Sequence, residues 1–139
     1  MQLYDPGALE VIFGGALITG FGPDTAITVE YDEDKFGLQI GVSGEAARTK
    51  SNNNGATITF TLMPGALGNT ILGAAYLADA NGPTGGLPLV IRDPSTNTEH
   101  VAKGAWIQKD PGAEYAKEVS PKAWTLRTDN LQTLHGFAT

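Results

Sequence analysis

Cysteine is absent from this chain of 139 residues. That excludes a disulfide framework, thiolate zinc ligation and a cysteine nucleophile. Cations are scarce. Nine Lys and Arg stand against fifteen Asp and Glu, for a formal charge of −6. Binding that neutralises phosphates needs clustered Lys and Arg, so the balance argues against it. It does not exclude a nucleic acid that passes without being gripped. No apolar run approaches the roughly 20 residues of a membrane span. The first residues, MQLYDPGALEV, hold neither a basic n-region nor an apolar h-region. No secretory signal is therefore expected, and a cytoplasm-like setting for synthesis is.

What is present is periodic. Hydrophobic residues make up 41% of the chain and fall in regular blocks, which argues against low-complexity disorder. The length suits one domain, residues 1–139, with a real core. Residues 10–13 and 16–19 are two short apolar runs around Gly14-Gly15, the signature of a tight hairpin. A turn is expected at 21–24. Residues 26–31 alternate, with Ile27, Val29 and Tyr31 on one face and Thr28 and Glu30 on the other. Residues 35–42 alternate more cleanly: Phe36, Leu38, Ile40 and Val42 point one way. This period of two predicts a half-buried antiparallel strand. An extended polar loop over about 43–55 follows, and then a strand at 56–62. Asn69 as N-cap, Ile71, Ala74, Ala75 and Ala78 on one face, and Gly82-Pro83 as a stop predict a helix over 69–80. Strands are expected at 87–93, 98–109 and 122–128, with turns at 94–97 and 110–112. The last residues, 131–139, read as a short strand or a tail. The fold class is mainly β: an antiparallel barrel or closed sandwich of seven or eight strands with one flanking helix.

Catalytic chemistry is hard to assemble from these residues. His100 follows Glu99 in a strand, where neighbours face opposite sides, and His135 lies near the C-terminus. Both read as surface or interface histidines. Ser43 sits in GVSGE, which lacks the second glycine of a nucleophile elbow. Neither a phosphate-binding loop nor a dinucleotide fingerprint is present. The acidic group Glu30, Asp32, Glu33 and Asp34 lacks calcium-loop spacing and reads as a solvated hairpin tip, or else as a charged wall facing a channel. No catalytic residue, cofactor or metal is expected. The balance favours a binding or structural role over an enzyme.

Two blocks carry a resemblance. One is YDEDKF at 31–36 followed by GVSGEAARTKSN at 41–52; the other is AWIQKDP at 105–111, with YAKEV at 115–119 and WTL at 124–126. With VIFGG at 11–15, they resemble phage tail tube proteins over about residues 4–131. The resemblance implies β-barrel or β-sandwich subunits with a flanking helix that form homo-hexameric rings. Such rings stack into a hollow tube that delivers double-stranded DNA. It also implies a sheath protein outside, a tape measure protein and then DNA inside, a contractile tail, assembly in the host bacterial cytoplasm and residence in the virion. The tube of a related injection or secretion system is the close alternative.

Six copies at −6 each carry about −36 per ring, and acidic side chains exposed on a bore would repel phosphates. The sheet of residues 26–42 and 56–62 is expected to contribute to the bore, with Glu30, Gln39, Thr57, Thr59 and Thr61 facing it. The 43–55 loop is expected to reach another subunit through Glu45, Arg48, Lys50, Asn52, Asn53 and Asn54. It would be ordered in the assembled tube and mobile in the monomer. A monomeric β-barrel ligand carrier is the rival reading. It would need an aromatic rim, and Trp106 and Trp124 lie in strand interiors where core packing is the better account.

Overall fold

The computed structural model describes residues 9–19, 21, 27–82, 86–94, 97–112 and 120–136. Among these, ten strands and one helix follow in the order β1 (Glu10–Phe13), β2 (Ala16–Ile18), β3 (Ile27–Tyr31), β4 (Phe36–Ile40), β5 (Ala46–Lys50), β6 (Ala56–Leu62), α1 (Leu67–Asn81), β7 (Leu87–Asp93), β8 (Thr98–Lys109), β9 (Lys122–Thr128) and β10 (Leu131–His135). Residues 22–24 of the turn expected at 21–24, residues 95 and 96 of the turn expected at 94–97, the YAKEV block at 115–119, the second half of the Gly82-Pro83 stop and residues 137–139 lie outside the described residues.

Eight strands form one antiparallel sheet in the order β2-β1-β7-β8-β9-β6-β3, with β10 also paired to β8. The fold is mainly β, as the alternation predicts. β2 and β3 end the path without pairing to each other, so the sheet curls into a sandwich and does not close into a barrel. The long β8 makes the curl possible. Thr98–Ala102 pair with β10, and from Ala105 onward the same edge pairs with β9. A register shift between Ile107 and Lys109 bends that ladder. The β1–β2 hairpin turns on Gly14 and Gly15 at φ 61° and 84°, both in the left-handed region that the tightest hairpins require.

The core lies between the curled halves of the sheet and the helix. β6 reads as strict alternation, with Ala56, Ile58, Phe60 and Leu62 fully buried. Leu126 and Trp124 of β9 stand beside Ile58 and Phe60 in register. Phe21 packs edge-on against Phe60, ring centres 5.9 Å apart.

The helix starts at Leu67, two residues before the expected position, with Ala66 as an N-cap that makes no side-chain bond. Asn69 is therefore not the cap. Its Nδ2 donates to the Met63 and Pro64 carbonyls, and its Oδ1 accepts from Trp124 Nε1 at 2.9 Å. One amide thus ties the pre-helix turn to the core tryptophan. The buried helix positions are Gly68 and Leu72, with Ile71 and Ala75 half-buried, whereas Ala74 and Ala78 are exposed. The face is rotated from expectation because the closest approach to the sheet is at Gly68.

Two further expectations fail at one place. The 35–42 strand was to be half-buried, yet every residue of β4 is exposed. The 43–55 stretch was to be a loop, yet Ala46–Lys50 form β5 and pair with β4 in a separate two-stranded sheet. The alternation is real, but the ribbon stands off the main sheet, so no core covers its apolar face.

Gly68 is the tightest joint of helix and sheet. A Cβ there would lie 2.9 Å from the Thr19 carbonyl and 3.0 Å from Ile18 Cγ2 and Leu62 Cδ1. On an open helix, Gly→Ala stabilises by about 1 kcal/mol. Here Gly68→Ala is expected to destabilise by about 1–3 kcal/mol through overpacking. Denaturant unfolding checks the sign.

Candidate functional site

Two surfaces carry groups that the fold itself does not use. The first is the β4–β5 ribbon. Phe36, Leu38 and Ile40 lie on one face, in register with Lys50, Arg48 and Ala46. Leu38 and Ile40 are 70% and 65% exposed, and Val42 at the tip is fully so. The Arg48 guanidinium sits 4.8 Å from the Phe36 ring centre, a cation–π contact that leaves its charge at the edge of the stripe. The opposite face carries Gly37, Gln39, Ala47 and Thr49. The tip is a turn in which Gly44 N donates to Gly41 O at 3.0 Å, with Gly44 at φ 87°. Glu45 is exposed beside it.

The ribbon's base is a polar knot. Ser51 N donates to Lys35 O at 2.7 Å, and Ser51 Oγ donates to Glu33. Lys35 Nζ donates to Asn54 Oδ1 at 2.8 Å. Asn53 Oδ1 accepts from Gly55 N at 2.9 Å, the local bond that makes asparagine a turn residue. Asn54 O accepts from Leu131 N at 2.9 Å. Two of the three successive asparagines, Asn53 and Asn54, thus order the base from within the chain. Asn52 is exposed.

The second surface is the outer face of β3, β6 and β9. Register aligns Glu30 with Thr57 and Thr57 with Arg127; Thr28, Thr59 and Thr125 form the next row. Thr61 continues it beside Ala123. Glu30, Thr57, Thr59 and Thr61 therefore share one polar face. Gln39 does not join them, because β4 belongs to the ribbon. Arg127 Nη1 and Nη2 donate to the two Asp32 oxygens at 2.6 and 2.8 Å, and Nη1 also donates to Thr57 Oγ1 at 2.6 Å. The hydrogen bond to Asp32 is the main force raising the Arg127 pKa. Trp106, half-exposed beside Arg127 across β8–β9, is not a core residue, whereas Trp124 is buried.

Asp32 and Arg127 meet across ninety-five positions of chain, so no spacing rule in the sequence pointed to Arg127. The β5 strand had a legible signal: glycines at 41 and 44 bracket a four-residue turn between two five-residue runs. Among the described residues, no cluster of three or more His, Asp or Glu is placed to hold a metal ion.

His100 occupies neither surface. It is half-buried at one end of the core, its Nδ1 2.8 Å from Thr133 Oγ1. That hydroxyl lies 2.6 Å from Tyr31 OH, which also donates to Leu131 O. The chain of bonds ties edge strand β3 to β10.

No protein-family model matches the chain. Over 141 aligned residues it is 23% identical to structural protein ORF10 of Pseudomonas phage KPP10, spanning 96% of this chain and 82% of that protein. Its fold is that of a chain in the anti-feeding prophage cap, the tube-terminating cap, with a TM-score of 0.61 at 12% identity, covering 97% of this chain and 93% of the other. A chain in the extended sheath–tube complex of an extracellular contractile injection system, PVC, gives 0.59 at 12% identity, covering 96% and 92%. A chain in the sheath/tube terminator of the same system gives 0.58 at 11% identity, covering 96% and 98%.

Burial lowers the His100 pKa below the ordinary value of 6.5, and the charge of His135 lowers it further. The unfolded chain then binds the proton more readily than the folded one. The stabilisation is complete above pH 6.5 and is lost as the pH falls below it towards the folded value. The melting temperature is expected to drop over that acid range, and His100→Gln is expected to flatten the drop. Melting curves across a pH series check it.

Proposed function

We propose that this chain is the subunit of a phage-type tail tube, in which six copies close a ring and rings stack around a bore for double-stranded DNA. The observation that carries the reading is the β4–β5 ribbon. Its apolar stripe is exposed in the single chain, and a ribbon with two solvent-facing sides gains stability only by docking. A neighbouring subunit supplies the missing cover. The two ends of the sheet path, β2 and β3, offer strand edges for lateral neighbours. A head-to-tail contact of that kind closes into a ring when its rotation allows.

The similarity in sequence to a phage structural protein and the fold shared with chains of tube, sheath and cap assemblies both support this reading. In it the threonine-rich face of β3, β6 and β9 lines the bore. A sheath protein surrounds the tube, as in contractile tails. A tape measure protein fills the bore before DNA does. The particle is assembled in the host cytoplasm, and the subunit is part of the virion or of a related injection machine. Glu45, Arg48, Lys50 and Asn52 meet the neighbour around the apolar stripe, while Asn53 and Asn54 hold the ribbon at the angle that reaches it.

A second reading, a protein that ends the tube, draws on the cap and terminator structures among the fold neighbours. Negative-stain microscopy of purified protein separates the two. Stacked tubes support a tube subunit, single unstacked rings support a terminator, and a strictly monomeric species at high concentration counts against both. Each docked Leu or Ile side chain contributes about 1.5–3 kcal/mol per contact. Leu38→Ser with Ile40→Ser is therefore expected to leave a folded monomer that does not assemble. Charge reversal at Arg48 or Lys50 is expected to weaken assembly in the same way. Normal tubes from these variants would sink the account of the ribbon.

A further inference from the structure

The face of β3, β6 and β9 carries two charged side chains, Glu30 and Arg127. An arginine there is unexpected on a surface meant to let phosphates slide, because its planar fork grips phosphate on two N–H groups. We infer that Asp32 is a built-in stand-in for phosphate: it occupies the Arg127 fork, so that a nucleic acid passing this face meets no open guanidinium on these strands. The inference rests on the tube reading for its setting, and on the geometry alone for the mask.

The two Arg127–Asp32 bonds, at 2.6 and 2.8 Å, have the paired geometry that a phosphate would take. Thr57 Oγ1 accepts a third at 2.6 Å and steers the fork towards Asp32. The carboxylate is itself positioned. Asp32 N donates to Gly55 O at 3.0 Å, and a Cβ on residue 55 would lie 2.5 Å from Asp32 Oδ2. Only glycine leaves room for the carboxylate there. The knot at the ribbon's base thus has a second use: it delivers the masking group. Glu30, one strand further on, adds a repelling charge but does not close the fork.

The test compares wild type with Asp32→Asn, Glu30→Gln and Asp32→Asn/Arg127→Gln, each coupled at high density to a sensor surface. The probe is random-sequence double-stranded DNA at low ionic strength. Glu30→Gln is the decisive control, since it removes the same charge from the same region without opening an arginine. Asp32→Asn is expected to retain about tenfold more DNA than wild type, with the gain falling as salt rises; Glu30→Gln changes retention by about twofold at most, and the double variant returns to wild type. Equal retention by Asp32→Asn and Glu30→Gln, or a gain that survives in the double variant, overturns the inference. Wild-type protein gives a second measure that needs no variant. Phenylglyoxal, which modifies free guanidinium groups, is expected to label Arg127 more slowly than Arg48; equal rates overturn the mask. Negative-stain images report the tube reading separately. If no rings form and the DNA and labelling results hold, the tube reading falls and the mask stands. If rings form and Asp32→Asn gains no DNA, the mask falls alone.

Discussion

β6 is the strand on which the rest of the molecule depends. It is paired on both edges, to β3 and to β9, over nearly its whole length. One side of it, Ala56, Ile58, Phe60 and Leu62, is fully buried, and the other carries three threonines. A slip of one residue in either ladder would exchange those faces and put threonine hydroxyls in the core, so the register is strongly specified. Trp124, held beside Phe60 by that register, reaches Asn69 and so sets where the helix docks. Arg127, held beside Thr57, reaches Asp32 and so sets where the ribbon leaves the sheet.

The same strand divides the molecule into a part that is complete and a part that is not. The sandwich and helix bury a shared core, although Leu17, Leu67, Leu77 and Leu134 stay exposed on them. The ribbon buries none of Phe36, Leu38 or Ile40. A small domain rarely exposes such a contiguous stripe without a partner for it. The polar knot at Ser51, Asn53 and Asn54 holds the stripe away from the subunit's own core. In the proposed tube, assembly completes the fold, and the edge strands β2 and β3 that end the sheet path among the described residues offer a second direction for it.

The acidic composition takes on a more local meaning in this setting. A negative net charge describes the whole surface, whereas a passing polyanion meets particular groups on one face. On β3, β6 and β9 those groups are threonines, one glutamate and an arginine already engaged by a carboxylate. In the proposed tube, charge scarcity alone would leave that arginine as a point of capture, and the Asp32 carboxylate that it already donates to would compete with a phosphate for it.

Much of this was legible in the residues. Period-two alternation located β3, β4 and β6 but passed over β5, Gly14-Gly15 located the first hairpin, and the helix was placed to within two residues at its start. These are local signals: side-chain direction alternates along any strand, and glycine alone turns tightly at positive φ. What alternation cannot say is which face finds a core. Residues 36–42 and 56–62 carry the same pattern, and only the packing buried one and exposed the other. Asn69 looked like a cap because asparagine often is one, but a tryptophan fifty-five positions away claimed its side chain. The Asp32–Arg127 pair and the Tyr31–Thr133–His100 chain were invisible for the same reason. Each joins residues that meet only after strands far apart in the chain have paired, and burial, register and long-range pairing are properties of the assembled tertiary structure. The chain by itself determined the elements and the absence of cysteine chemistry; the fold decided which surfaces were left over for a partner.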